Sequence, residues 1–213
     1  MGFLGLNSVA FPSVLYSAAR AGLPFVPLNF RLPDEQLRRL LARIAPGIVV
    51  ADPDMKPRAE GIDGLEVLTN DRFLDQDAPV RARTSELPFV DPDRVAVMLF
   101  TSGTTGEPKA ALLRHRHLTA YILSTVEFLA SGKDEAHLVS VPPYHIAGVA
   151  GVLSSLYSGR RVVYLPVFDP DAWVELACAE SVTQAMVVPT MLKRIVEVDE
   201  RRSGGLPALK HLS

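Results

Sequence analysis

The sequence has one cysteine and no strong excess of charge of either sign. Among its 213 residues, 22 lysines and arginines stand against 24 aspartates and glutamates. The single cysteine, Cys178, excludes an internal disulfide framework and is typical of a reducing compartment. The near balance of charge excludes a broad basic surface for nucleic acid or anionic lipid. Any site for an anion must therefore be local.

Membrane-spanning runs, targeting signals, repeats and low-complexity tracts are also missing. No apolar run reaches the length of a membrane span, and no basic region precedes an apolar segment at the N-terminus. We therefore expect a cytoplasmic protein with no transmembrane segment. The hydrophobic content of 48% is ample for a core, and the length suits one large domain or two small ones. Cys178 lies in an apolar helical stretch, where we expect it to be buried.

Strand and helix patterns alternate along the first fifty residues. Asn7 or Ser8 is the expected cap of a first helix, residues 25–28 form an apolar strand, and Pro33 opens a second helix. Residues 48–51 form the next strand. This alternation predicts an α/β fold with mainly parallel sheets flanked by helices.

The remaining segments give signals of uneven strength. Residues 52–92 read as a peripheral segment with one strand at 65–68, and later strands are expected at 136–141 and 183–188. Helices are expected after residue 117, from Pro170 and from Pro189. In the last of these, the predicted inward positions are Leu192, Ile195 and Val196.

A segment rich in glycine, serine and threonine, residues 101–109, follows the apolar run 95–100. Its glycines let backbone N–H groups approach an anion, its hydroxyls add donors, and its lysine adds a mobile positive charge. A loop leaving the end of a buried strand is also where open α/β sheets hold ligands. The residue types indicate a phosphate site, or else an ordinary surface loop. The residues concerned are Thr101, Ser102, Gly103, Thr104, Thr105, Gly106 and Lys109.

The order of these residues departs from the Walker pattern and resembles the phosphate loop of the adenylate-forming superfamily, which includes acyl-CoA synthetases and AMP-binding ligases. Further landmarks in the expected order extend the resemblance over essentially the whole chain. Two positions depart from the family's usual pattern. Ala110 stands where a glycine usual for the family would be, and Arg114-His115 stands where Thr-His is usual. Ala110 implies that the exit of the loop has a backbone conformation that tolerates a Cβ atom.

A second motif lies between a predicted strand and an apolar helix. Residues 142–148 read Pro-Pro-Tyr-His-Ile-Ala-Gly. By itself, His145 is compatible with a packed histidine of the core. The segment is similar to the family's acyl-pocket motif, which implies that Tyr144 and His145 border the carboxylate substrate. A different pair, His115 and His117, lies two residues apart at a helix start, so the two side chains point in different directions and we predict no metal site there.

The resemblance implies an acid-thiol ligase that uses ATP, Mg²⁺ and coenzyme A. It would form an acyl-adenylate and pyrophosphate from a carboxylic acid and then pass the acyl group to CoA, with Lys109 and His145 as catalytic residues. We expect small-molecule partners and no nucleic acid.

The family's Tyr-Gly-x-Thr-Glu motif, its ribose-binding Asp and its mobile C-terminal lid domain with a catalytic Lys are not found in residues 1–213. We therefore expect these residues to be part of an N-terminal AMP-binding domain, a fragment of a fatty-acid/acyl-CoA synthetase-like ligase that is inactive by itself. Self-association through surfaces that a complete domain would cover is a further expectation. The alternative is a non-catalytic nucleotide- or acyl-binding module.

Overall fold

The structure is a computed structural model that describes residues 1–75, 90–101, 108–202 and 204–213. The chain divides into two compact units. The first comprises residues Met1–Gly5 and Val9–Thr119, and the second comprises Leu6–Ser8 and Ala120–Ser213.

A four-stranded parallel sheet forms the centre of the first unit, in the order β2-β1-β3-β4. Strands and helices alternate as the sequence predicts, because a parallel connection has to cross the sheet before the next strand begins. The strands are β1 (Gly2–Leu4), β2 (Val26–Pro27), β3 (Gly47–Ala51) and β4 (Leu65–Thr69). The helices are α1 (Ala10–Arg20), α2 (Asp34–Arg43), α3 (Lys56–Ala59) and α4 (Asn70–Leu74), with a 3-10 turn at Pro53–Met55.

Apolar stripes on the first two helices account for much of the core of this unit. On α1 the predicted residues Phe11, Val14 and Leu15 are buried, and on α2 Leu37 and Leu41 are fully buried. The predicted cap of α1 is wrong. Val9 occupies the cap position and makes no side-chain capping bond, and the Ser8 hydroxyl has no hydrogen-bond partner among the described residues.

The segment 52–92 contains more structure than the sequence pattern predicted. The expected strand is present as β4, which pairs with β3 over five residues, and it is accompanied by α3, α4 and the 3-10 turn. These helices were missed because they have four and five residues, too few to show a helical period. Ala59 of α3 is fully buried in the core of the first unit, so this part of the segment is not peripheral.

Two antiparallel strands complete the first unit. They are β5 (Val95–Thr101) and β6 (Lys109–Arg114). The sequence predicts β5, and Ala96, Val97 and Leu99 are buried as expected. It does not predict β6, with which β5 pairs in antiparallel register. The only parallel contact of β5 among the described residues is an isolated bridge between Val97 and Phe25.

The second unit contains another parallel four-stranded sheet, in the order β10-β9-β7-β8. Its core includes Leu138, Trp173 and Ile195. Helix α5 (His115–Thr125) begins in the first unit and ends in the second. The strands are β7 (Ala136–Val139), β8 (Arg161–Tyr164), β9 (Gln184–Ala185) and β10 (His211–Leu212), and the helices are α6 (Ile146–Ser158), α7 (Pro170–Ala179) and α8 (Pro189–Arg202).

Several details of the second unit differ from the sequence-based predictions, and one is that β7 ends at Val139 rather than at residue 141. Strand β9 has two residues rather than six, because the backbone leaves the sheet after Ala185. The inward face of α8 is formed by Met191, Ile195 and Val198, whereas Leu192 and Val196 are exposed. Cys178 is exposed, because the inward side of α7 is formed by Trp173, Val174 and Ala177.

Candidate active site

The structure describes the two ends of the first motif, residue 101 and residues 108–109, and these ends lie side by side. Thr101 is the last residue of β5 and Lys109 the first of β6, and the two are partners in the antiparallel register. The Thr101 hydroxyl donates a hydrogen bond to the Lys109 carbonyl, with 3.4 Å between the oxygens. The residues predicted to bind phosphate between them lie outside the described residues: Ser102, Gly103, Thr104, Thr105 and Gly106.

Lys109 presents its ammonium group to solvent. The residue is exposed, and no carboxylate in the described ranges lies within ion-pairing distance of it. An exposed lysine on a regular strand keeps a flexible side chain on a fixed backbone, so its charge can follow an anionic group. Thr101, also exposed, places a hydroxyl beside it. This end of the strand pair therefore offers a cation to an anion, and the Thr101 hydroxyl can add a donor by exchanging its long bond to the Lys109 carbonyl for one to the anion.

Ala110 is accommodated without strain. It lies inside β6, where it is the register partner of Phe100. An extended strand suits any residue with a Cβ atom, so glycine is not required at this position. The expectation drawn from this departure, that the backbone here tolerates a side chain, is confirmed.

Arg43, at the end of α2, contacts a residue of β5 and the residue that precedes β6, next to the motif's two ends. Its Nη1 donates a hydrogen bond to the Pro108 carbonyl at 2.8 Å, and its guanidinium carbon lies 5.0 Å from the centroid of the Phe100 ring. The sequence analysis gave Arg43 no role. Pro108 is 65 residues further along the chain, so no local pattern relates the two.

The second motif forms the start of α6. His145 is the N-cap residue of this helix, with extended backbone angles of φ −94° and ψ 146°. Its backbone N–H donates to the Pro142 carbonyl, and its own carbonyl accepts from the Gly148 N–H, each at 3.0 Å. A Cβ on Gly148 would lie 3.4 Å from the Pro142 carbonyl oxygen, at the limit of ordinary van der Waals contact, so the turn and the helix start are closely packed. The backbone position of His145 is thus fixed.

The aromatic rings of this motif are in contact. The centroids of Tyr144 and His145 are 4.7 Å apart, and the two rings are tilted by 46°. His145 is exposed and Tyr144 is half-buried. An imidazole at a helix start is well placed to donate a hydrogen bond to a carboxylate, because the helix N-terminus also favours a negative charge.

Strand pairing brings together two of the residues predicted to bind phosphate, whereas the two residues of the second motif are neighbours in the chain. Thr101 and Lys109 meet in the first unit, and Tyr144 and His145 meet in the second.

The histidines at the start of α5 are engaged in local contacts. His117 Nδ1 accepts a hydrogen bond from the Arg114 N–H at 3.2 Å, and Arg116 forms an ion pair with Asp93 at 2.5 Å. Burial, together with the positive charge of Arg94, lowers the pKa of His115. In the described part of the chain, no group of three or more histidines, cysteines, aspartates or glutamates is placed to hold a metal ion. Nor does any helix in those ranges have the length and apolar character needed to cross a membrane.

Comparison with known proteins identifies the class. Residues 1–213 match the family described as AMP-binding enzyme. The chain therefore belongs to this family, and the resemblance inferred from its motifs is confirmed.

The curated relatives include several CoA ligases. The chain is 32% identical over 216 residues to a feruloyl-CoA synthase of Amycolatopsis sp, a match that covers 100% of the chain and 43% of that protein. It is 28% identical over 228 residues to the indoleacetate–CoA ligase of Aromatoleum aromaticum, covering 100% of the chain and 44% of the ligase. The chain thus spans less than half the length of these two relatives.

Solved structures of this family share the fold. The N-terminal domain of FACL13 from Mycobacterium tuberculosis superposes with a TM-score of 0.81 at 23% identity, covering 99% of this chain and 55% of that one. ATP-bound MatB from Rhodopseudomonas palustris gives a TM-score of 0.79 at 26% identity, covering 99% and 43%. The prediction of an α/β fold with mainly parallel sheets, similar to the N-terminal domain of an acyl-CoA synthetase, is confirmed.

Proposed function

We propose that this protein activates a carboxylic acid with ATP and transfers the acyl group to the thiol of coenzyme A. The observation that carries the proposal is the pairing of Thr101 with Lys109 at the ends of a phosphate-loop motif, in a chain of the AMP-binding enzyme family. Relatives that are CoA ligases and a similar structure with bound ATP support it.

The proposed reaction has two steps, and the first produces a pyrophosphate leaving group whose negative charge a lysine and several hydroxyls would stabilise. A carboxylate is a poor electrophile, because its substitution would have to expel oxide. In the proposed first step, a carboxylate oxygen attacks the α-phosphorus of ATP, and the bond from that phosphorus to the oxygen bridging to the β-phosphate breaks. Pyrophosphate leaves with the electron pair of that bond. In the second step the sulfur of CoA, having lost its proton, attacks the acyl carbon, and AMP leaves.

Lys109 and His145 have different roles in this scheme. Negative charge builds up on the departing pyrophosphate. Lys109 stabilises that charge most in the transition state, because its flexible side chain extends from the fixed backbone of a strand. His145 donates a hydrogen bond to the carboxylate of the acid, and Tyr144 packs against the imidazole and limits its orientations. Ser102, Gly103, Thr104, Thr105 and Gly106 supply the remaining phosphate contacts in the proposal.

Mg²⁺ belongs to the proposal as the counter-ion of the triphosphate. Mg²⁺ usually keeps several waters and binds through substrate phosphates with one or two carboxylates, so it does not need a dedicated protein cage. The lack of a metal-binding group among the described residues is compatible with this mode of binding.

The test is acid-dependent ATP–pyrophosphate exchange by the protein as its gene encodes it. Ferulate, indoleacetate, malonate and a medium-chain fatty acid form a suitable panel. We expect exchange with at least one acid, and CoA thioester formation when CoA is added. Nucleotide binding without exchange for any acid would contradict the proposal and favour a non-catalytic binding module.

A further inference from the structure

Arg43 connects three parts of the first unit at the edge of the phosphate-loop motif. It is exposed in the last turn of α2, yet it contacts Pro108, the residue before Lys109, and Phe100, the residue before Thr101. Phe100 in turn packs against the core of the first unit. One side chain therefore links both ends of the motif to a helix and, through Phe100, to the core.

The contacts require the particular shape of arginine. A planar guanidinium can lie over an aromatic ring and donate in its own plane to a carbonyl, whereas the ammonium of lysine is a compact point charge without that geometry. Proline has no backbone N–H, so its carbonyl is the one backbone polar group of Pro108 that can be held. In the described ranges no carboxylate pairs with Arg43, so its donors are not committed to an ion pair there.

We propose that Arg43 is a positioning residue that fixes the start of β6 and thereby the backbone from which Lys109 extends. This inference rests on the proposed function, in which Lys109 contacts the phosphates. Arg43 acts through Pro108 and Lys109, and not by binding the nucleotide itself. Small displacements of a charged group cost catalytic efficiency because stabilisation of the transition state depends on orientation.

The same helix offers a matched control. Arg39 lies one turn before Arg43 and is also exposed, but it pairs with Glu35 at 2.5 Å. Arg39→Ala removes an arginine from the same helix and leaves the contacts to Phe100 and Pro108 intact.

A double-mutant cycle tests whether Arg43 acts through Lys109. For ATP–pyrophosphate exchange, we expect Arg43→Ala to lower kcat about tenfold, the size of effect that one charge-assisted hydrogen bond supports. The KM for the acid should stay within about twofold, Arg43→Lys should recover little, and Arg39→Ala should match the parent. In a Lys109→Ala background, Arg43→Ala should have no further effect, since residues that act as a unit are not additive. A further tenfold loss in that background would overturn the inference.

Amide hydrogen exchange without nucleotide tests the positioning separately from the function. We expect Arg43→Ala to raise the exchange rates of the Lys109 and Ala110 amides several-fold, and Arg39→Ala to leave them unchanged. Unchanged rates in Arg43→Ala would overturn the inference whatever the enzyme does. Suppose that amide hydrogen exchange is faster in Arg43→Ala but that the parent protein shows no ATP–pyrophosphate exchange with any acid. This result would refute the proposed function and would leave the positioning by Arg43 standing.

Discussion

Lys109 begins a regular strand with its side chain in solvent, so its loss should remove a charge without disturbing the fold. We expect Lys109→Ala to lower kcat/KM for ATP by roughly 10²-fold, mostly through kcat, because the charge matters most as pyrophosphate leaves. Pyrophosphate exchange measures this. Lys133→Ala, at another exposed lysine, is the control and should match the parent. Equal rates in both variants would show that Lys109 has no part in the reaction.

His145 should act on the other substrate. At the N-cap of α6 its imidazole is exposed, and we expect His145→Ala to raise the KM for the acid roughly tenfold, the effect of losing one hydrogen bond to a charged group. The KM for ATP should change by less than about twofold. Steady-state kinetics with varied acid and varied ATP separate the two effects. His211→Ala, at an exposed histidine on β10, is the matched control.

His137, on β7, makes the stability of the second unit depend on pH. Burial lowers the pKa of His137 from 6.5 to about 4, and the positive charge of Arg160 contributes. Because the folded pKa is the lower one, the unfolded chain binds more protons between these values. Stability is therefore complete above about pH 6.5 and is lost as the pH falls towards 4. Between about pH 7.5 and 5 we expect a loss of about 2 kcal/mol from this group.

Unfolding in urea, monitored by the fluorescence of Trp173, measures this loss of stability in the second unit, which contains His137. Trp173 is the single tryptophan, is fully buried and lies in the core cluster that also contains Leu138 of β7. His137→Gln removes the titrating group, so the difference in unfolding free energy between the two pH values should shrink by about 2 kcal/mol. His211→Gln, at an exposed histidine, should leave that difference as it is in the parent. An undiminished pH dependence in His137→Gln would refute the assignment to His137.

Helix α7 shows which local signals are sufficient to predict an element. Asp169 caps it by accepting a hydrogen bond from the Ala172 N–H at 3.0 Å, and Pro170 occupies the first helical position, where the sequence predicts the helix to begin. Both signals involve residues three or fewer apart, so the chain specifies them without tertiary contacts. Helix α1 lacks such a cap, and there the predicted starting residue was wrong although the buried face was right.

The cap of α7 should make a measurable contribution to stability. We expect Asp169→Ala to lower the free energy of unfolding by about 1 kcal/mol, because the Ala172 N–H loses its acceptor. Asp171→Ala is the control: Asp171 is exposed in the same first turn and only pairs with Arg201 at 3.7 Å, so its loss should cost less than about 0.5 kcal/mol. Trp173 fluorescence in urea reports on both. Equal costs would indicate that helix-end charge, and not capping, is responsible.

Strand β6 shows what local signals cannot provide. Its residues, Lys-Ala-Ala-Leu-Leu-Arg, do not alternate in polarity, and alanine and leucine favour helix, so no strand was predicted. Pairing with β5 decides its conformation. The same limit applies to the candidate site. The two motifs predict site residues at the loop and at the start of α6, whereas the contact of Arg43 with Pro108 depends on the packing of α2 against the strand pair.

Each unit of the chain has a four-stranded parallel sheet and its own apolar core. Leu4, Leu37 and Val49 belong to the first core, and Leu138, Trp173 and Ile195 to the second. In each unit the strands and helices pack around that core, so we expect residues 1–213 to fold as two layered units. The chain nevertheless spans only 43% of the length of the feruloyl-CoA synthase that it matches.

A purified polypeptide of residues 1–213 should fold without catalysing the reaction. These residues include the motif that ends at Lys109 but no Tyr-Gly-x-Thr-Glu sequence, a motif that the resemblance to the adenylate-forming superfamily implies for a complete site. Adenylation requires the triphosphate, the acid and the metal to be oriented together, and losing orientation forfeits about 7–11 kcal/mol of rate assistance.

We therefore expect weak binding of ATP with Mg²⁺, reduced in Lys109→Ala, and no acid-dependent pyrophosphate exchange above background. Circular dichroism tests whether the polypeptide is folded, and isothermal titration calorimetry measures the binding of ATP with Mg²⁺. The Amycolatopsis feruloyl-CoA synthase with ferulate is a positive control for the pyrophosphate exchange assay. Acid-dependent exchange by residues 1–213 would mean that these residues contain a complete adenylation site without the Tyr-Gly-x-Thr-Glu motif.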